Sequence, residues 1–225
     1  MEREPRPTRV FLVRHGKVEN PGGVLYGRLP RFGLSPEGRE QARRAAEILA
    51  AEPLAEVWAS PLLRARQTAR EILARHPGLR LRISRLLHEV RTPFEGRSLA
   101  EARAAGEDFY TGSGPGFEQP GGVADRMERF LRRTARRRPG AAVAAVTHGD
   151  PLAFLVMRLS GLPLDPRRKA ALQPCGIPDG YPQPGSIVLV EVMPDGRARV
   201  AGYRRSDART LGRWDARTLG REKLR

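Results

Sequence analysis

The chain has 225 residues, a formal net charge of +16 and a single cysteine, Cys175. That length suits one α/β domain with one substantial core, a lone cysteine excludes an intrachain disulfide framework, and no apolar run approaches the ~20 residues of a membrane span. The charge invites a nucleic-acid reading, but only Lys17, Lys169 and Lys223 of the 41 basic residues are lysine, an arginine preference that coding bias explains as readily as a binding surface does. A positive field would in either case speed the encounter with anionic substrates.

Segment 1–8 is a polar extension without the apolar run of a secretion signal, so a cytoplasmic protein is expected. Val10-Phe11-Leu12-Val13 then reads as a strand buried on both faces, ending in Arg14-His15-Gly16. In open α/β sheets the crevice beyond the strand carboxyl ends is the usual ligand position. Loop 17–33 is rich in Gly, Pro and Asn and carries Asn20 and Tyr26-Gly27-Arg28. Ser35-Pro36 opens a helix as N-cap and first residue, and Ala42, Ala45, Ala46 and Leu49 form its core stripe. A strand at Val57-Trp58-Ala59 leads through Ser60-Pro61 into a second helix with core residues Leu62, Ala65, Ala69, Ile72 and Leu73. Arg64 and Thr68 share another side of this helix. An arginine near the positive end of the helix dipole is misplaced unless an anion shares the site, whereas Arg66 reads as a solvated arginine.

The stretch 79–87 reads as the next strand, ending in His88-Glu89, with His88 structural or exposed. A short helix over 98–105 and a Gly/Pro-rich loop over 106–122 follow. That loop carries Phe109, Tyr110 and Phe117, which either wall a substrate site or anchor the loop. Val123, Met127, Phe130 and Leu131 mark an amphipathic helix, and the apolar run 141–146 ends in Thr147-His148-Gly149. Asp150-Pro151 repeats the cap-plus-proline device before a buried helix over 152–159. A hairpin, 186–192 with 198–203, closes the sheet and offers an edge strand to a second copy, so a homodimer is possible on this reading. Segment 204–225 is a basic tail with a direct repeat, 207–213 and 215–221.

Arg14-His15-Gly16, the run Ser60-Pro61-Leu62-x-Arg64-Ala65-x-Gln67-Thr68 and Thr147-His148-Gly149 are three separated motifs that match in order. Over about residues 9–203 the chain resembles the histidine phosphatase superfamily, the phosphoglycerate-mutase-like fold. The resemblance implies a three-layer α/β/α sandwich with a mostly parallel central sheet and an inserted cap at about 92–140. It implies a phosphatase that hydrolyses small-molecule phosphate monoesters through a phosphohistidine on His15. Arg14, Arg64 and His148 would hold the phosphate, and Glu89 would protonate the leaving alcohol. Glu95-Gly96 matches the family's following Glu-Gly pair at about one residue shorter spacing, which keeps Glu95 as a rival acid. Asn20 resembles a phosphate-contacting asparagine, again about one position closer to His15 than the family places it.

No cofactor is expected. No metal is expected either, because HExxH-like spacing is missing and the flanking arginines would repel a cation. Two alternatives stand beside the phosphatase. One is a mutase returning the phosphoryl group to a phosphoglycerate, although its arginine-and-tyrosine signature is not evident after Glu89. The other is a basic nucleic-acid-binding protein on an inactive phosphatase fold, against which the full set of catalytic residue types weighs.

Overall fold

The computed structural model describes residues 6–104, 108–110, 113–207 and 214. Its strands are β1 (Thr8–Arg14), β2 (Leu54–Ala59), β3 (Leu81–Ile83), β4 (Ala142–Thr147), β5 (Ile187–Val192) and β6 (Ala198–Arg204). They form one sheet in the order β3-β2-β4-β1-β5-β6. Neighbours from β3 to β1 run parallel, whereas β5 and β6 pair antiparallel along the β1 edge as the expected hairpin.

Successive side chains of a strand point to opposite faces, and β1 therefore supplies both cores. Val10 and Leu12 lie in one cluster with residues of α4 (Pro120–Arg137) and α5 (Gly149–Leu159). Phe11 and Val13 lie in the other, with Ala45, Ala46 and Leu49 of α1 (Pro36–Leu49) and Ala65, Ala69 and Ile72 of α2 (Leu63–Ala74). The result is the expected α/β/α layering, with α3 (Leu99–Ala104) apart from both helix pairs. Phe11 and Leu12 are wholly buried, which for side chains of this size contributes roughly 1.5–3 kcal/mol each.

The structure departs from the sequence expectations at several polar residues. Strand β3 stops at Ile83 because the Ser84 hydroxyl accepts from Leu86 N and opens a 3₁₀ turn, Arg85–Leu87. Ser35 caps α1 as expected, accepting from Gly38 N at 3.0 Å. Ser60 does not cap α2, whose N-cap is Leu62. Asp150 does not cap α5 either; it sits in the first turn behind His148. Arg66 is half-buried with an unpartnered Nε rather than solvated. The repeat of the tail lies outside the described residues except Asp207. Trp214, between the two copies, packs on Phe11 at 5.2 Å between ring centroids and lies 4.4 Å beneath the Arg204 guanidinium.

Two glycines set how closely β1 and α1 approach. A Cβ on Gly16 would overlap the Gly38 carbonyl, and one on Gly38 would overlap the Lys17 carbonyl. Nothing lies near Gly121, in the first turn of α4. Gly38→Ala should therefore cost about 1–3 kcal/mol as backbone is forced apart, while Gly121→Ala should be neutral or gain up to ~1 kcal/mol of helix propensity. Urea unfolding midpoints of the two variants check this; equal effects would contradict the close approach.

Candidate active site

The parallel strands β1, β4 and β2 are adjacent, and the residue just beyond each carboxyl end is His15, His148 and Ser60. Backbone hydrogen bonds continue the ladder there, His15 N donating to Thr147 O at 3.1 Å and Ser60 N to Val146 O at 2.9 Å. The two imidazoles meet edge to face with centroids 5.0 Å apart. A carbonyl oxygen only accepts, so the 2.8 Å contact between His15 Nδ1 and Gly16 O puts the proton on Nδ1. The Nε2 lone pair is turned into the site, where it accepts from Arg64 Nε at 3.1 Å.

Each polar residue of the middle motif has a task. Ser60 Oγ lies 2.7 Å from His148 Nε2. Arg64 is fully buried; it donates through Nη2 to Gly27 O at 2.7 Å and stacks over the Tyr26 ring at 4.6 Å. Gln67 accepts from Leu34 N, and Thr68 Oγ1 accepts from Gly16 N at 3.2 Å. The helix thus ties down the loop that follows His15 at its start, middle and end. Glu89 Oε2 approaches His148 Nδ1 at 3.6 Å and Arg64 Nη2 at 4.0 Å, while Oε1 accepts from Val90 N.

Burial and the guanidinium groups of Arg64 and Arg14 hold the pKa of His15 well below the ordinary imidazole value. Burial and Arg64 do the same to His148. The Glu89 carboxyl shifts upward, mainly through burial and secondarily through the carboxylate of Asp150, with Arg64 opposing. The site therefore joins uncharged imidazoles and a carboxyl biased toward its acid form to the guanidinium groups. Among the described residues, Arg14 Nε, Arg64 Nη1 and His148 Nδ1 are buried nitrogens without a hydrogen-bond partner. Leaving such groups unpaired costs about 1–3 kcal/mol each, which an incoming anion would repay.

Beside these groups opens a cavity of about 320 Å³ whose lining includes Arg14, Tyr26, Glu89, Leu25, Leu99 and Phe109. Tyr110, placed in the sequence only as wall or anchor, does both. It lines the cavity and its hydroxyl donates to Asp150 at 2.5 Å. Asp150 also accepts from Tyr181 at 2.5 Å and from Lys169 at 2.8 Å. No motif signalled this cluster, because Asp150-Pro151 reads as a cap. His88 is half-buried and accepts from Glu89 N, and burial lowers its pKa to about 4. Glu95 accepts from Arg28 N at 2.8 Å and does not line the cavity. Asn20 is not brought to the cluster; its amide bonds Val24 through both Nδ2 and Oδ1.

His15, Glu89 and His148 offer ligand atoms within 4.8 Å of one another, a donor set that a divalent ion could use. Arg64 already occupies His15 Nε2, however, so a metal there would face a buried guanidinium at contact distance. A dianion fits the same groups without that penalty. With the crevice at the carboxyl ends of a parallel sheet, this chemistry defines the class as enzymes of phosphoryl transfer.

The model of the histidine phosphatase superfamily (branch 1) matches residues 10–192, and the chain belongs to that family. It is 38% identical over 174 residues to the uncharacterized protein Rv0525 of Mycobacterium tuberculosis, covering 73% of this chain and 86% of that one. It is 34% identical to a glucosyl-3-phosphoglycerate phosphatase of Mycolicibacterium vanbaalenii over 71% of this chain and 77% of that one. A probable phosphoglycerate mutase, GpmB, of Photorhabdus laumondii is 28% identical, over 75% of this chain and 82% of the relative. Among solved structures, the mycobacterial glucosyl-3-phosphoglycerate phosphatase Rv2419c superposes with a TM-score of 0.70 at 26% identity, over 87% of this chain and 97% of that one. The protein is thus a histidine-type phosphatase.

A depressed imidazole pKa keeps His15 uncharged as pH falls through the ordinary titration range. Imidazole ¹⁵N shifts recorded from pH 8 to pH 5 should show the His15 Nδ1–H tautomer throughout. A protonation midpoint for His15 between pH 6 and 7 would contradict the electrostatics described.

Proposed function

We propose that the protein hydrolyses small phosphate monoesters in two steps, with His15 as the nucleophile. The observation that carries the reading is the set of unpartnered buried nitrogens of Arg14, Arg64 and His148 beside the His15 Nε2 lone pair. A phosphate dianion would pair with all three. In taking up the phosphate, Arg64 gives up its bond to Nε2 and turns to the equatorial oxygens, freeing the lone pair. Nε2 then attacks phosphorus, the ester P–O bond breaks, and its electron pair leaves on the alcohol oxygen, which takes the proton of Glu89.

In the second step Glu89, now a carboxylate, removes a proton from water. The water oxygen attacks phosphorus and the N–P electron pair returns to Nε2, leaving Glu89 protonated for the next cycle. Glu89 suits this exchange because its side chain is 17% exposed, whereas His15 is 2% exposed, so water reaches the phosphoenzyme on the side of the acid. Asn20 would contact phosphate only after breaking its bonds to Val24. The proposed cap, about residues 92–140, contributes Thr92, Leu99, Phe109 and Tyr110 to the cavity lining. The setting is a reducing cytoplasm, in keeping with buried, unpaired Cys175, and the reaction needs no cofactor.

Two measurements test the roles. His15→Ala should abolish turnover of every phosphate monoester while leaving the unfolding midpoint near wild type; residual turnover above background would remove His15 from the covalent step. An alkoxide must be protonated as it leaves, whereas a nitrophenolate departs unaided. Glu89→Gln should therefore slow single-turnover phosphorylation by an alkyl phosphate by about 10²-fold or more and by p-nitrophenyl phosphate far less. The same pattern in Glu95→Gln instead would move the acid to Glu95.

A further inference from the structure

Glu89 sits in a segment without regular secondary structure, just after the 3₁₀ turn Arg85–Leu87. A general acid in such a segment needs its backbone held from outside, since a misplacement of about 1 Å costs on the order of 10²-fold. The holding groups come from two distant parts of the chain. Arg28 Nε donates to the carbonyl of Glu89 itself at 2.7 Å, and Arg28 Nη2 donates to Glu118 Oε2 at 2.6 Å. Arg126, on α4 and 5% exposed, donates from Nε to Glu118 Oε1 at 2.7 Å and from Nη1 to Leu86 O at 2.8 Å. Glu118 also accepts from Arg91 N, and its own N–H donates to Arg91 O, both at 3.0 Å.

The segment 86–91 is therefore gripped at its start, at Glu89 and at its end, and Glu118 joins all three grips. Resting on the assignment of Glu89 as the acid, we propose that Glu118 is the positioning residue that sets where Glu89 delivers its proton, acting through Arg28 and Arg126. The charges suit the task. One carboxylate between two guanidinium groups is a charge-assisted pair on each side, and Glu118 is only one-quarter exposed. Neither Glu118 nor Arg126 lines the cavity, so neither is placed to touch substrate.

The test is single-turnover phosphorylation of the full chain by an alkyl phosphate and by p-nitrophenyl phosphate. Glu118→Ala should lower the alkyl phosphate rate by about 10- to 100-fold and leave the p-nitrophenyl phosphate rate within about threefold, since only the first needs the acid. In a Glu89→Gln background, Glu118→Ala should add no further loss, because there is no acid left to position. Equal loss with both substrates, or full additivity with Glu89→Gln, would overturn the proposal and leave Glu118 merely structural. Should Glu118→Ala fail to fold, Arg28→Met removes the link to the Glu89 carbonyl and must show the same split between substrates. If Glu89→Gln itself shows no leaving-group dependence, the acid assignment falls and this inference with it. If Glu89→Gln shows the dependence and neither Glu118→Ala nor Arg28→Met does, the positioning role alone fails.

Discussion

The hydrogen bond from His15 Nδ1 to the carbonyl of the very next residue, Gly16, is the constraint on which the site depends. It fixes one tautomer, so that the other ring nitrogen keeps its lone pair for a ligand. The bond is possible because Gly16 is itself held. Thr68 of α2 accepts from its N–H, and the missing Cβ lets Gly38 of α1 lie against it. Both helices that cover one face of the sheet thereby bear on a single imidazole. Burial supplies the rest, because taking His15 out of water between two arginines makes the charged imidazolium costly and favours the neutral imidazole.

The cage pays for this with unpaired donors. Arg64 has no exposed surface, yet its Nη1 has no hydrogen-bond partner among the described residues. A solvated arginine would be more stable but would not discriminate in favour of a dianion. The same low-dielectric surroundings act in opposite directions on the partners. They lower the pKa of His15 and His148 and raise that of Glu89, which favours uncharged imidazoles beside a carboxyl held toward its acid form. Asp150 belongs to this balance. Its carboxylate is stabilised by Lys169 and two tyrosine hydroxyls, so it stays charged and pushes the Glu89 proton up.

Much of this was legible in the residues. The burial of Val10 to Val13 on both faces of the sheet, the α1 stripe from Ala42 to Leu49 and the terminal hairpin appear as read, because local pattern and tertiary packing agree there. Arg14, His15, Arg64 and His148 of the three motifs lie together with Glu89. What escaped were polar residues whose partners are distant in sequence. Ser60 and Asp150 carry cap-like signatures, but a buried imidazole and a buried lysine outcompete the helix ends for them. Glu118 follows Gly and Phe in a loop with no motif, and its three partners come from residues 28, 91 and 126. Asn20 shows the reverse, a motif-like residue whose own turn claims its amide.

The central claim is that a neutral His15, protonated at Nδ1, presents Nε2 to phosphorus. The most direct test is to quench the enzyme during turnover and determine which nitrogen carries the phosphoryl group, by ³¹P and ¹⁵N shifts of the isolated phosphopeptide. The account predicts Nε2-phosphohistidine at residue 15. Phosphate on Nδ1, or on any residue other than His15, would contradict it.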